Sequence, residues 1–244
     1  MSDQAIQLMH GDCLELMRII PSGSVDMILT DPPYCSGGNL EAQKNTKAQG
    51  LRAATVAADD FHWFASDNMG SAGLVWLLRS MMIEAARILR PNRSAFIFTD
   101  WRMVPHLGPG LESSGLRWRN QIIWDKGNAG LGLGFKPAYE VILEFCNGTP
   151  EYQVKDGQNV IRAKRLNGMQ KVHNAQKPVN LLREIIRVSA PRGGVILDPF
   201  MGSGSTGVAA AEGGYGFIGI ERDLTHFATA QRRLADITRG LFTL

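Results

Sequence analysis

The chain has 244 residues, 44% hydrophobic and 20% charged, which suits one α/β domain with a sizeable core. No apolar run approaches the ~20 residues of a membrane span. MSDQAIQLMHGD has no basic region ahead of an apolar stretch, so neither a membrane segment nor a signal peptide is expected.

Three scattered cysteines (Cys13, Cys35, Cys146) suit a reducing cytoplasm better than a disulfide framework. Five histidines form no HxxxH or CxxC cluster, so no metal site is expected. The net charge of +3 is unevenly spread: residues 117–192 hold 13 Lys+Arg against 6 Asp+Glu. A basic face on a nearly neutral protein attracts a polyanion, although a charge run alone is also what a solvated surface shows.

Apolar periodicity predicts the elements in chain order. IQLM (6–9) reads as a strand and DCLELMRI (12–19) as a helix. VDMILT (25–30) is a strand, LVWLLRSMMIEAARILR (74–90) a helix ending at Pro91, and SAFIFT (94–99) a strand. Residues 101–114 read as a broken helix. RWRNQIIW (117–124) and YEVILEF (139–145) are strands on either side of NAGLGLG, expected to pair antiparallel at one sheet edge. A helix over 177–190, the strand VILD (195–198), a short helix over 205–213 and the strand GFIGIE (216–221) follow. Asp223 caps a last helix with Leu224, Phe227, Leu234 and Ile237 on one side. Seven strands alternating with helices predict an α/β fold, a mostly parallel sheet with helices on both faces. Residues 35–73 and 147–172 fit no element and read as functional loops.

The stretch VILDPFMGSGSTGVAAAEGGYGFIGIERD orders strand, glycine turn, helix, strand and acid. Gly202, Gly204 and Gly207 satisfy GxGxxG, a weak pattern that any tight α/β turn can share. Glycines let a ligand approach the backbone at a helix N-terminus, and Glu221 is placed to hold both hydroxyls of a ribose. Asp198, directly before the turn, would oppose a pyrophosphate. Only 23 residues follow Glu221, too few for a second nucleotide-binding half. A nucleoside with a positive centre and no phosphate, S-adenosylmethionine, fits better. Asp198 and the loop amides would then face its aminoacyl end.

DPPY, residues 31–34, ends the strand VDMILT. As structure alone it could be a turn. As chemistry, it suits an exocyclic base amine, whose lone pair is conjugated with the ring. Two acceptors on its N–H bonds pull the nitrogen toward sp³ geometry. Asp31 supplies a carboxylate, Pro32 a carbonyl whose direction the prolines (Pro32, Pro33) fix, and Tyr34 a stacking face. Extruding the base costs a few kcal/mol, and stacking returns roughly 1–3 kcal/mol.

DPPY together with LDPFMGSGST resembles the amino-methylating DNA methyltransferases, which make N6-methyladenine or N4-methylcytosine. The order, tetrapeptide before glycine motif, resembles their β-class permutation, and the resemblance covers nearly the whole chain. It implies a Rossmann-like, circularly permuted seven-stranded sheet in one catalytic domain, 1–244. The strands ending at Thr30 and Leu197 would then be neighbours. Catalytic residues would be Asp31, Pro32, Pro33 and Tyr34. HGDCLELM (10–17) resembles the segment around the cofactor adenine, implicating Asp12 and Cys13. NAQKPVNLL (174–182) implicates Lys177 near the methionine carboxylate. The glycine motif implicates Asp198, Phe200, Gly202, Ser203, Gly204, Ser205 and Thr206 beside Glu221, with Asp31 also at the cofactor. FTDWR (98–102) and IIWDK (122–126) resemble blocks lining the base pocket. No covalent nucleophile or metal is needed, so neither Cys13 nor Cys35 is expected to attack.

The family usually carries a separate target-recognition region, and here only 35–73 and 147–172 are available. KDGQNVIRAKRLNGMQK (155–171) offers Arg162, Lys164, Arg165 and Lys171 for phosphates, and Asn159, Asn167 and Gln170 for base edges. Lys44, Lys47 and Arg52 are further candidates in 35–73, which either closes over the base or docks a second subunit. The expected enzyme is a site-specific adenine DNA methyltransferase, orphan or phage-type or part of a restriction–modification pair, acting on double-stranded DNA. A homodimer located in the cytoplasm and at the nucleoid is expected. N4-cytosine methylation, an RNA or protein-amide substrate, and an inactive DNA-binding regulatory module remain open.

Overall fold

The computed structural model describes residues 5–34, 70–128, 134–165 and 176–241. The expectations for Cys35, Lys44, Lys47, Arg52, Asn167, Gln170 and Lys171 lie outside them. In chain order the elements are β1 (Ile6–His10), α1 (Cys13–Leu16) continued by a 3-10 turn (Met17–Ile19), β2 (Val25–Thr30), α2 (Ser71–Ile88), β3 (Leu89–Thr99), α3 (Val104–Glu112), β4 (Arg117–Asp125), β5 (Tyr139–Asn147), β6 (Val160–Arg162), α4 (Val179–Ser189), β7 (Val195–Asp198), α5 (Ser205–Glu212), β8 (Gly216–Glu221) and α6 (Leu224–Leu241).

The strands form one sheet in the order β1-β8-β7-β2-β3-β5-β4-β6. β2 runs parallel to β7, with Met27 opposite Ile196 and Ile28 opposite Leu197, so the two motif-bearing strands are neighbours as expected. All six residues of β2 are buried, which is why VDMILT lacks polar alternation: it is covered on both faces. Ile28 joins the core under α2 and α3. Met27 and Leu29 point to the opposite core, under α4, α5 and α6.

Three expectations need correction. The sheet has an eighth strand, β6, parallel to β4, so the antiparallel β4–β5 hairpin is not at the edge. Three residues with two apolar side chains are too short to show a period. The helix read over 12–19 is a single α turn that tightens into 3-10 geometry. The helix read over 74–90 ends at Ile88, and Leu89–Arg90 already belong to β3. In α6, Asp223 caps as expected, accepting from the amides of Thr225 and His226 at 2.9 Å. Leu234 is buried, but Leu224, in the first turn, is 66% exposed.

At the end of the sheet remote from the motifs, Asp26 ties three strands. Its carboxylate accepts from Arg90 Nη1 at 2.8 and 2.9 Å and from the Val195 amide at 2.9 Å, and it is 2% exposed. Losing these bonds leaves the partly buried Val195 amide without an acceptor and frees the half-exposed Arg90, so Asp26→Ala is expected to lower stability by about 1–2 kcal/mol. Urea denaturation checks this, and an unchanged midpoint would refute it.

Candidate active site at the sheet switch point

Helices connect β2 to β3 on one side and β7 to β8 on the other, so a crevice opens at their carboxyl ends, where open α/β sheets bind ligands. Both motifs emerge there. β2 delivers Asp31 directly after Thr30, and the strand has ended before the two prolines that lead to Tyr34. The Tyr34 phenol donates to Asp31 Oδ1 at 2.7 Å.

Three residues from distant parts of the chain close on this pair. Lys177 Nζ, just before α4, lies 2.7 Å from Asp31 Oδ2, 3.1 Å from Glu140 Oε2 and 3.1 Å from the Tyr34 oxygen. Glu140, on β5, also receives Lys126 Nζ at 2.7 Å on its other oxygen. The Lys177 ammonium stands 5.0, 5.2 and 5.9 Å from the ring centroids of Tyr34, Phe98 and Trp124, within cation–π range. The result is a largely desolvated cluster of two carboxylates and two ammoniums inside an aromatic wall.

Charge pairing decides the ionisation here. Burial works against the Lys177 ammonium, but Asp31 and Glu140 outweigh it and raise its pKa. Burial likewise disfavours an ionised Glu140, yet Lys177 and Lys126 hold its pKa below the usual carboxylate range. Burial pushes Asp31 up, Lys177 offsets part of this, and Glu140 adds to it. Burial and the two acids raise Tyr34 well above an ordinary phenol, so it remains a protonated donor.

The glycine loop forms the other wall. Gly202 and Gly204 adopt φ of +51° and +81°, values that favour glycine. A side chain at Gly204 would meet Ala230, and one at Gly207 would come within 2.7 Å of Phe217, whereas Gly202 faces open space. Gly204 and Gly207 therefore serve packing, and Gly202 leaves room for a ligand. Glu221, ending β8, accepts the Gly202 amide at 2.9 Å on one oxygen and the Asp223 amide at 2.7 Å on the other. A carboxylate has about four acceptor positions, so each oxygen retains one for a ribose hydroxyl. β1 pairs with β8, His10 opposite Glu221, and this brings Asp12 and Cys13 to the same edge. Asp12 caps α1 through the Leu14 amide. Cys13 is buried, and desolvation pushes its thiol up to about 12, which suits packing and not attack. Ser203 is held by Arg233, which donates to its carbonyl and hydroxyl. Ser205 and Thr206 are buried in the first turn of α5. These residues fit a nucleoside cofactor without phosphate.

Two predicted residues take unexpected places. Lys177 is engaged by Asp31, Tyr34 and Glu140. Asp198 is 2% exposed, and its Oδ1 accepts the Thr30 hydroxyl at 2.6 Å and the Phe200 amide at 3.1 Å. Sequence reasoning missed Glu140 altogether. Its signal was an acid next to the buried run VILEF. Phe98, Trp124 and Lys126 fall within blocks already singled out, although their roles were not.

The basic segment abuts the same wall. Trp124, whose ring faces Lys177, donates its Nε1 to the Ala163 carbonyl at 2.7 Å. Beside it lies an open groove of about 640 Å³ lined by Gly127, Asn128, the run Arg162–Arg165 and Asn180. Arg162 also pairs with Asp125 at 2.8 Å. Among the described residues no group of three or more His, Cys, Asp or Glu is arranged to hold a metal, and no helix is long and apolar enough to cross a membrane.

Sheet order, glycine loop and acid-ended strands define a Rossmann-like methyltransferase fold. Comparison with known proteins agrees. Residues 25–232 match the N6/N4 DNA methylase family. The chain is 30% identical to the type II methyltransferase M2.LlaDCHI of Lactococcus lactis subsp. cremoris, over 93% of this chain and 88% of that one. It is 28% identical to the type II methyltransferase M.HinfI of Haemophilus influenzae, over 94% and 68%. A crystal structure of the M1.HpyAVI complex with S-adenosylmethionine superposes with a TM-score of 0.68 at 26% identity, covering 94% of this chain and 98% of that one. The cytosine-N4-specific PvuII DNA methyltransferase shares the fold, with a TM-score of 0.70 at 16% identity, over 94% and 90%. The chain belongs to the N6/N4 DNA methylase family, the S-adenosylmethionine-dependent enzymes that methylate exocyclic amines of DNA bases.

Burial pushes Asp198 from an ordinary 3.8 to about 7, against its hydrogen bonds to Thr30, Thr206 and Phe200. Between those values the folded state binds more protons than the unfolded one. This group's contribution is therefore greatest below about pH 4 and falls as pH rises to about 7. Asp198→Asn, which cannot ionise, should remove that fall. Urea unfolding of both proteins across the window tests this, and stability curves that stay parallel would exclude it.

Proposed function

We propose that the protein transfers the methyl group of S-adenosylmethionine to N6 of an adenine flipped out of double-stranded DNA. The observation that carries this reading is the juxtaposition of Asp31 and Tyr34 with the glycine loop across one crevice, with Thr30 and Asp198 bonded at 2.6 Å between them. In this reading Asp31 and the Pro32 carbonyl accept the two N–H bonds of the amine and localise its lone pair. Tyr34 stacks on the base, and Phe98 and Trp124 extend the apolar wall and exclude water. Glu221 and Asp12 hold the nucleoside of the cofactor, and residues 200–206 line its aminoacyl side. The bound cofactor supplies an electrophilic methyl on a sulfonium. The chain's own contribution is positioning and desolvation. In the resembled family an aspartate at the head of the tetrapeptide is more typical of the adenine enzymes and a serine of the cytosine ones, and this resemblance, not the chemistry of the amine, favours adenine.

DNA is held in this reading by Arg162, Lys164 and Arg165 along the groove beside Trp124, with Lys44, Lys47, Arg52, Asn167 and Lys171 as further contacts. A polyanion seated there places its displaced base next to the aromatic wall.

Asp31→Ala is expected to lower methyl incorporation into unmethylated DNA at least about 100-fold, since misplacing the reacting group by ~1 Å costs that much. Cofactor binding, measured by calorimetry, should persist. Mass spectrometry of nucleosides from DNA modified by the wild type should reveal N6-methyladenine. N4-methylcytosine alone would overturn the choice of base, and undiminished turnover by the variant would overturn the role of Asp31. Replacing Arg162, Lys164 and Arg165 with Ala is expected to reduce the slope of log affinity against log salt by about 2–3. An unchanged slope would remove those residues from the interface.

A further inference from the structure

At the carboxyl edge of the sheet the ladders stop at different heights. β2 stays paired with β3 as far as Thr30 opposite Ile97, and β7 stays paired with β8 as far as Asp198 opposite Gly219. Between β2 and β7 the ladder reaches only Ile28 opposite Leu197. The sheet therefore parts along this seam just where methyl donor and acceptor must meet. Across the seam runs one short side-chain bond, Thr30 Oγ1 to Asp198 Oδ1 at 2.6 Å. Both residues are buried, at 1% and 2% exposure.

Asp198 Oδ1 also accepts the Phe200 amide at 3.1 Å, so one atom receives a donor from each wall of the crevice. Phe200 begins the glycine loop, and Thr30 is covalently joined to Asp31. A hydroxyl is costly to bury without a partner, and valine would fill the same strand position with an equal volume of apolar groups. The β-branched side chain also has few χ1 options, so the bond transmits the position of Asp198 to the backbone at Asp31 with little slack.

We infer that Thr30 is a positioning residue for methyl transfer: its hydroxyl, bonded to Asp198, sets the register of the catalytic tetrapeptide against the cofactor loop where the backbone ladder no longer does. The inference rests on the reading of Asp31 as the group that holds the amine.

The test uses the full-length protein, duplex DNA and S-adenosylmethionine, with four variants: Thr30→Val, Thr30→Ser, Asp198→Ala, which removes the acceptor, and the double variant Thr30→Val/Asp198→Ala. Single-turnover methylation by Thr30→Val should fall at least about tenfold, because transfer rates are steep in donor–acceptor placement. Its cofactor dissociation constant should stay within about threefold of wild type, since the loop retains its other bonds. Thr30→Ser restores the hydroxyl and should recover the rate to within about twofold. If Thr30 and Asp198 act through one bond, the double variant should be no slower than the slower single variant. Wild-type transfer by Thr30→Val overturns the inference. So do a loss confined to cofactor affinity, failure of serine to rescue, and multiplication of the two single losses in the double variant. Should Thr30→Val not fold, the Thr30→Ser and Asp198→Ala rates decide: a normal rate in Asp198→Ala, or a tenfold loss in Thr30→Ser, overturns it. Asp31→Ala, run in parallel, separates the two levels. Activity retained there sinks the reading of Asp31, whereas an inactive Asp31→Ala beside a normal Thr30→Val sinks only the role of Thr30.

Discussion

Charge balance in a desolvated space is the constraint on which the site depends. Asp31 and Glu140 stand largely out of water beside Tyr34, Phe98 and Trp124, where burial works against the charge of each. Lys177 bridges them, at 2.7 and 3.1 Å, and Lys126 completes the count on the far oxygen of Glu140. The four charges come from the end of β2, the start of β5, the end of β4 and the approach to α4. The relative placement of four elements is thereby coupled to one small volume. The arrangement keeps Asp31 as an acceptor whose basicity burial has raised, while the phenol of Tyr34 keeps its proton.

The sheet supplies the remaining geometry. Covering β2 on both faces makes it a rigid rod in the middle of the molecule, anchored at one end by Asp26 and released at the other into the tetrapeptide. Its neighbour β7 is released into the glycine loop one strand away. Parallel neighbours that turn outward in opposite directions leave a crevice between them, which is why two motifs far apart in sequence meet at one place. The same geometry weakens the sheet at that seam, and a hydroxyl–carboxylate bond takes over where backbone pairing ends.

The third element of the site is the basic groove beside its aromatic wall. Trp124 belongs to both regions. Its ring contributes to the wall around Lys177, and its indole N–H fixes Ala163, in the middle of the basic run Arg162–Arg165. The small strand β6 exists through this attachment: Val160, Ile161 and Arg162 pair with β4 while carrying only one half-buried side chain among them. Basic groove and charged cluster are consequently two sides of one wall.

Much of this could be read without the fold. Buried strands such as VDMILT and VILD are apolar runs of diagnostic length, the glycine turn announces itself by composition, and DPPY joins a carboxylate to two rigid residues and an aromatic ring. These are local properties, written in adjacent residues, so seven of the eight strands, the helix alternation and the two motifs were legible. β6 was not, since three residues hold no period. Glu140 was not, since an acid bordering a hydrophobic strand has no meaning until its partners are known. Lys177 was noticed, but its engagement with Asp31 depends on a contact 146 residues away in sequence. The sequence by itself determined the elements and the chemistry of each motif, because both follow from neighbouring side chains and short-range backbone preference. Only the tertiary structure decided which charges share a cavity, which acid faces inward and where the sheet parts. Desolvation and Coulomb energy act through space, and they are defined only once the chain has closed around them.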